Sequence, residues 1–190
     1  MSARLEQLAQ RLAQRTPVEI ELPAREQAAV AVILVPSQES SALDLLLIQR
    51  SLRAEDPWSG HMALPGGRRD PEDLDLCATA VREAREETGV ELSCARLLGR
   101  LDDLRPIRQS ERMLAVRPFV YWTSQRPELE LSSEVAQALW VPLNSLAASA
   151  GEAQVEHRGA QLRVAAFLVQ GRVVWGMTQR VLAGLLELVA

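Results

Sequence analysis

Residues 66–90 read Gly-Gly-Arg-Arg-Asp-Pro-Glu-Asp-Leu-Asp-Leu-Cys-Ala-Thr-Ala-Val-Arg-Glu-Ala-Arg-Glu-Glu-Thr-Gly-Val. From about Asp75 to Thr88 the pattern predicts a helix, and Gly89 supplies the residue that ends it. On that helix Glu83, Glu86 and Glu87 stand three and four residues apart, so the three carboxylates share one face, while Cys77, Val81 and Ala84 lie opposite. Like charges at this spacing repel, and a divalent cation would turn the repulsion into binding. Hard ions such as Mg²⁺ favour carboxylate oxygens and take part of their shell from substrate phosphates. The plainer reading is a solvated face, with Arg82 and Glu86 as an i,i+4 pair and Arg85 beside them. A Gly-Gly turn after a strand, an acidic loop and then this helix favour the cation.

Outward from the helix, apolar runs at Ala28 to Val35 and Leu43 to Gln49 predict two adjacent strands with a turn at Ser37 to Ser41 between them. The chain is irregular from Arg50 to Gly60, with a turn signal at Asp56-Pro57, and His61 to Leu64 resumes as a short strand. Strands are expected at Ala95 to Leu101, Met113 to Thr123, Ala136 to Val141 and Leu162 to Val169, with one more short strand at Arg172 to Trp175. A helix from Ser2 to Arg15 opens the chain, stopped by Thr16-Pro17, and another from about Gly176 to Val189 closes it. With no repeat, low-complexity tract or linker, residues 1–190 read as one domain, a mixed α/β sandwich rather than a doubly wound sheet.

Composition narrows the chemistry. All 21 basic residues are arginine and none is lysine. A Walker-type phosphate loop, a Schiff-base enzyme and a Ser-Lys hydrolase are thereby excluded. Arginine is a permanent planar cation, suited to holding phosphates rather than moving protons. The net charge of −4 disfavours a nucleic-acid partner, although clustered arginines could hold a phosphorylated small molecule. No run reaches the roughly 18 apolar residues of a membrane span, and the N-terminus lacks a signal core, which predicts a cytoplasmic protein without a membrane partner. Cys77 and Cys94 show no metal-ligand pairing, and His61 and His157 are isolated in sequence, His61 being the better functional candidate.

The segment from Gly66 to Val90 resembles the Nudix box, G-x5-E-x7-R-E-U-x-E-E-x-G-U with U apolar. Arg82, Glu83, Ala84, Glu86, Glu87, Gly89 and Val90 match in register. Upstream, counting back from Arg82 puts the glycine position on Arg68 and the first acid on Leu74, so one extra residue intervenes and Gly67 and Asp73 take those places. The resemblance implies an α/β/α sandwich with a mixed sheet and a central loop-helix-loop. It implies hydrolysis of a nucleoside diphosphate derivative, with Mg²⁺ or Mn²⁺ held by Glu83, Glu86, Glu87 and the Gly67 carbonyl. Arg82 would orient the glutamates, and the general base would be Glu83 or a glutamate from a distant loop, for which Glu134 is the best candidate.

A second resemblance concerns the substrate. Leu46-Leu47-Ile48-Gln49-Arg50-Ser51 followed by Gly60-His61-Met62-Ala63-Leu64-Pro65-Gly66-Gly67 is similar to the signature of coenzyme A pyrophosphatases, L-L-T-x-R-[SA]-x3-R-x3-G-x3-F-P-G-G. It departs at Ile48 and Leu64, and a spacer one residue too long puts Asp56 where the second arginine belongs, leaving Arg53 as the nearest substitute. The implied reaction splits coenzyme A or acyl-coenzyme A into 3′,5′-ADP and (acyl-)4′-phosphopantetheine. Arg50, Arg53, Arg68 and Arg69 would hold substrate phosphates, with Arg105, Arg108 and Arg112 in a further loop. ADP-ribose, NDP-sugars, NADH and dinucleoside polyphosphates stay open as alternative substrates. So does a nucleotide-binding module of the same fold that does not cleave, whereas an RNA-decapping relative fits the negative charge poorly. The two terminal helices could pack against a second subunit, which leaves a homodimer open.

Overall fold

A computed structural model describes residues 3–38, 42–54, 58–106, 114–157 and 159–189. Part of the expected turn before Ala42, the Asp56-Pro57 signal, and Arg108, Arg112 and Met113 lie outside the described residues.

The chain is a mixed sheet with helices on both faces. Its axis is β1 (Gln27–Pro36), which runs parallel to β6 (Ala115–Trp122) along eight residue pairs. On its other side β1 pairs antiparallel with the start of β2 (Leu43–Arg50) through Leu34 to Pro36, and with β4 (Gly66–Arg68) through Ala28 to Val30. β3 (Met62–Ala63) and β7 (Val135–Pro142) both pair with β2, and β5 (Arg96–Arg100) covers the far edge of β6. The apolar run of β1 has no polar alternation because both of its faces are buried. Val32 and Leu34 point into one core; Ala29, Ala31 and Ile33 point into the other.

On the first face pack α1 (Ala3–Gln14), through Leu5, Leu8 and Leu12, and α4 (Gly176–Val189), through Val181, Leu182 and Leu185. The opposite face receives α2 (Leu76–Thr88), through Leu76, Ala80 and Ala84. The apolar stripes of α1 and α4 thus pack largely within the chain.

Several elements differ from expectation. The Gly-Gly pair is not a turn but the start of β4. Gly66, at φ +155°, lies so flat on β1 that a Cβ there would sit 2.3 Å from the Ala29 carbonyl oxygen. The segment between Val141 and Leu162, read as loop, holds a short helix α3 (Leu143–Ala148) and a strand β8 (Ala150–His157). β8, β9 (Ala160–Val169) and β10 (Arg172–Trp175) form a second antiparallel sheet. β8 escaped notice because it is mostly exposed and polar, so no buried face marks its period.

Candidate active site

The helix that carries the carboxylates is fixed at both ends. The Asp75 side chain accepts a hydrogen bond from the Ala78 N–H at 2.8 Å, and Gly89, at φ +72°, donates its N–H to the Arg85 carbonyl at 2.8 Å. This brings Ala80 and Ala84 onto the sheet and turns Glu83 and Glu87 toward β4. Glu87 Oε2 accepts the Gly66 N–H at 2.9 Å. The Glu83 carboxylate crosses Gly67 so closely that a Cβ there would lie 2.3 Å from Oε1. The glycine pair therefore gives the two acids room against the strand. Glu86 stands further out, with about half of its side chain exposed.

Arg82 organises the cluster. Its Nη1 donates to Glu83 Oε1 at 2.9 Å and to Glu86 Oε2 at 3.0 Å, and its Nη2 donates to the Arg68 carbonyl at 3.1 Å. Its Nε and Nη2 donate to the two oxygens of Asp73 at 3.0 and 2.9 Å. The Thr79 hydroxyl also donates to Asp73, at 2.9 Å. The extra loop residue is absorbed by Leu74, which is 91% exposed between Asp73 and the helix cap. The shortened acid thereby keeps its hold on Arg82.

The electrostatics follow from this placement. Hydrogen bonds from Arg82 hold the Asp73 carboxyl down at about 2. Burial pushes the Glu87 carboxyl up to about 7, opposed by the Gly66 N–H and raised further by Glu83. Burial also raises Glu83, with Arg82 opposing and Glu86 and Glu134 adding repulsion. Three carboxylates, two of them desolvated, in front of a backbone cleared by glycines form an oxygen-donor set that suits a hard divalent cation. Among the described residues no three such side chains already stand as a ligand shell, consistent with Arg82 and Gly66 engaging these oxygens.

Other residues picked from the sequence distribute unevenly. The charge of Glu134, which precedes β7, raises Glu83 and Glu87, and that of Arg50, the last residue of β2, lowers Glu87. Arg53 Nη1 donates to Glu134 Oε1 at 3.1 Å, and the Ser51 N–H donates to the Glu134 carbonyl at 2.8 Å. Arg68 and Arg69 turn elsewhere. Arg68 bonds the Arg25 carbonyl, and Arg69 ties down the loop through the Asp73 and Leu74 carbonyls and Gln27. The Arg105 carbonyl accepts from Arg180. Cys77 contacts the Tyr121 hydroxyl and Cys94 is exposed, both as free thiols. His61 and His157, unconnected in sequence, meet beside Trp58 and Trp175. No periodicity or motif could have signalled that meeting. A cavity of about 320 Å³ lined by Asp44, Arg126 and Trp140 lies at the opposite end of β2 from Arg50, away from the glutamates.

Comparison with known proteins agrees with this arrangement. The NUDIX domain family model matches residues 25–161, which include every carboxylate described above. The chain belongs to the Nudix family and is a pyrophosphohydrolase of the class that acts on nucleoside diphosphate derivatives. It is 34% identical over 157 residues to the protein named uncharacterized Nudix hydrolase NudL of Photorhabdus laumondii, covering 80% of each chain. It is 32% identical over 165 residues to the NudL of Yersinia pestis (strain Pestoides F), covering 84% of this chain and 79% of that one. A Schizosaccharomyces pombe protein is 44% identical over 108 residues, but the match spans only 32% of its length. Among solved structures, a NUDIX hydrolase from Alicyclobacillus acidocaldarius superposes with a TM-score of 0.60 at 18% identity, over 88% of this chain and 93% of that one. The MutT/nudix protein of Enterococcus faecalis gives 0.56 at 18% identity, over 90% and 64%. Both share the mixed α/β fold. Nudix hydrolases generally use divalent metal ions and bind small nucleotide-derived substrates. Among the described residues no helix is long and apolar enough to cross a membrane.

Proposed function

We propose that this chain hydrolyses the diphosphate bond of coenzyme A or acyl-coenzyme A, releasing 3′,5′-ADP and (acyl-)4′-phosphopantetheine, as one cytoplasmic domain. What supports the reading is the set of Glu83 and Glu87 packed against Gly66 and Gly67, together with the pairing of β7 with β2 that puts Glu134 against Ser51, next to Arg50. Arg50 belongs to the stretch from Leu46 to Ser51 that resembles the coenzyme A signature.

Glu83, Glu86 and Glu87, with the Gly67 carbonyl, would hold Mg²⁺ or Mn²⁺. The ion would neutralise the diphosphate and stabilise the leaving phosphate. Arg82, anchored by Asp73, fixes the rotamers of Glu83 and Glu86 before substrate arrives. Arg50, whose charge lowers Glu87, and Arg53, paired with Glu134, would supply the fixed cations that a phosphate-rich substrate needs. Glu134, held by Arg53 and half-exposed, would take the proton from the attacking water. Glu83 is engaged by Arg82 and suits a ligand's role better. Arg69 supports the loop, and Arg68 bonds the Arg25 carbonyl.

Product analysis on a panel of coenzyme A, ADP-ribose, an NDP-sugar, NADH and a dinucleoside polyphosphate, each with Mg²⁺ and with Mn²⁺, tests the reading. Selective release of phosphopantetheine is expected. Preference for another member of the panel would move the substrate assignment, and binding without turnover of any would make the chain a recognition module. Glu86→Gln and Glu87→Gln should each lower kcat by orders of magnitude with the fold intact. Near-normal rates in both would sink the metal assignment. A normal rate in Glu134→Gln would return the base to Glu83.

A further inference from the structure

Every donor of Arg82 is in use. A guanidinium has five N–H groups, and around this one stand five acceptors: the two oxygens of Asp73, the Arg68 carbonyl, Glu83 Oε1 and Glu86 Oε2. Two of the five belong to the glutamates proposed above to hold the metal, and a cation would draw those oxygens toward itself. Arg82 can keep Glu83 and Glu86 in place only if its opposite edge does not follow them. That edge rests on Asp73, so the fixity of Asp73 decides how well the carboxylates are prepared for the ion.

The Asp73 side chain is only 6% exposed, and beyond Arg82 its carboxylate has two donors. The Asp70 N–H reaches Oδ2 at 2.9 Å from within the loop, and the Thr79 hydroxyl reaches the same oxygen at 2.9 Å from α2. Of the two, Thr79 ties Asp73 to the helix that carries the glutamates. It stands three residues before Arg82 and four before Glu83, hence on the same face. The hydroxyl has a single proton, and the Asp75 carbonyl at 3.2 Å competes for it, as is usual for threonine within a helix. That carbonyl already accepts the Thr79 N–H at 3.1 Å, whereas Oδ2 is closer and charged, so the proton goes to the carboxylate. Thr79 is also fully buried, beside Leu76 and Ala80, which pack on the sheet. Packing alone gives that place no reason to carry a hydroxyl.

We propose that Thr79 is a positioning residue for the hydrolysis, holding Asp73 so that Arg82 presents Glu83 and Glu86 to the divalent cation in one fixed arrangement. The hydroxyl supplies from the helix the hold that an acid one carbon shorter, on a longer loop, would otherwise lack. The inference rests on the metal-dependent hydrolysis proposed above and not on coenzyme A as the substrate.

Thr79→Val keeps the shape of the side chain and removes the hydroxyl, and Thr79→Ser keeps the hydroxyl. Mn²⁺ alone is titrated into the substrate-free protein and followed by electron paramagnetic resonance, and steady-state rates are measured at saturating Mn²⁺ on the best diphosphate. Thr79→Val should bind Mn²⁺ about tenfold more weakly and lower kcat about tenfold with KM for the diphosphate unchanged, the scale of a lost partner behind a metal ligand. Thr79→Ser should recover most of both. In an Asp73→Ala background Thr79→Val should change neither value further, because Thr79 acts through Asp73. Should Thr79→Val not fold, Thr79→Ala is read against the same values. Full additivity with Asp73→Ala would overturn the proposal. So would wild-type Mn²⁺ affinity and kcat in Thr79→Val beside a lowered melting temperature, which would make Thr79 a buried polar group of the core and nothing more. If no diphosphate is cleaved yet Mn²⁺ binding weakens in Thr79→Val and recovers in Thr79→Ser, the positioning role stands and the hydrolytic reading falls.

Discussion

Asp73 grips Arg82 with both carboxylate oxygens, at 3.0 Å to Nε and 2.9 Å to Nη2, although it is one carbon shorter than the acid the motif expects and one residue further from the arginine. The two departures compensate. The longer loop lets Asp73 approach while Leu74 swings into solvent. Leu74→Ala should therefore change stability by no more than about 0.5 kcal/mol and leave kcat unmoved. Deleting Leu74 should pull Asp73 off Arg82 and lower kcat at least tenfold. Urea titrations and a steady-state assay on the two variants decide whether the loop length or the side chain matters.

The same pair makes stability depend on acid. Asp73 titrates near 2 when folded, below its ordinary value of 3.8. Its contribution, about 2 kcal/mol, is complete above the unfolded value and is lost as pH falls from about 4 to about 2. The stability difference between the wild type and Asp73→Asn should accordingly be largest at neutral pH and close towards zero near pH 2. A difference that does not narrow over that range would mean that the pair is not what the acid breaks.

Gly66 and Gly67 are adjacent yet should fail differently when given a side chain. A methyl at Gly66 meets the Ala29 carbonyl oxygen and the Val30 Cα at 2.3 and 2.6 Å, both backbone atoms that cannot move aside. Gly66→Ala should cost about 3 kcal/mol or prevent folding. At Gly67 the obstacle is the end of a flexible side chain, the Glu83 carboxylate at 2.3 Å. Gly67→Ala should fold with a melting temperature close to that of the wild type and lose most activity. Thermal unfolding and an assay of both proteins separate the cases.

Far from the glutamates, Arg126 pairs with Asp44, whose side chain is only 5% exposed, and lies over Trp140 with its guanidinium carbon 5.2 Å from the ring centroid. Arg126→Met would strand a buried carboxylate whose Oδ1 has no hydrogen-bond partner among the described residues. The cost should be about 3–5 kcal/mol, and Arg126→Met with Asp44→Leu should recover most of it. Activity per folded molecule should be unaffected in both, because the pair stands at the other end of β2 from Arg50.

Periodicity and local motifs were enough to find the chain's strongest elements. The apolar run of β1, the capped helix from Asp75 to Gly89 and the three glutamates on its face are local patterns, written within a few turns or one strand. Those patterns, with the Gly-Gly pair upstream, placed the chain in its family before any contact was known. What local pattern could not decide is which distant groups share a space. That Glu134 comes beside Ser51 at the end of β2, while Arg68 turns to Arg25 and Arg69 to the loop, depends on β7 pairing with β2 and on where β4 lies on β1. The exposed strand β8 and the meeting of Trp58, His61, His157 and Trp175 depend on how the second sheet packs beside β3. The physical reason is range. Helix caps and hydrophobic periods are set by neighbours a few residues away, whereas a site assembled from strand ends is set by pairing register, which only the folded sheet fixes.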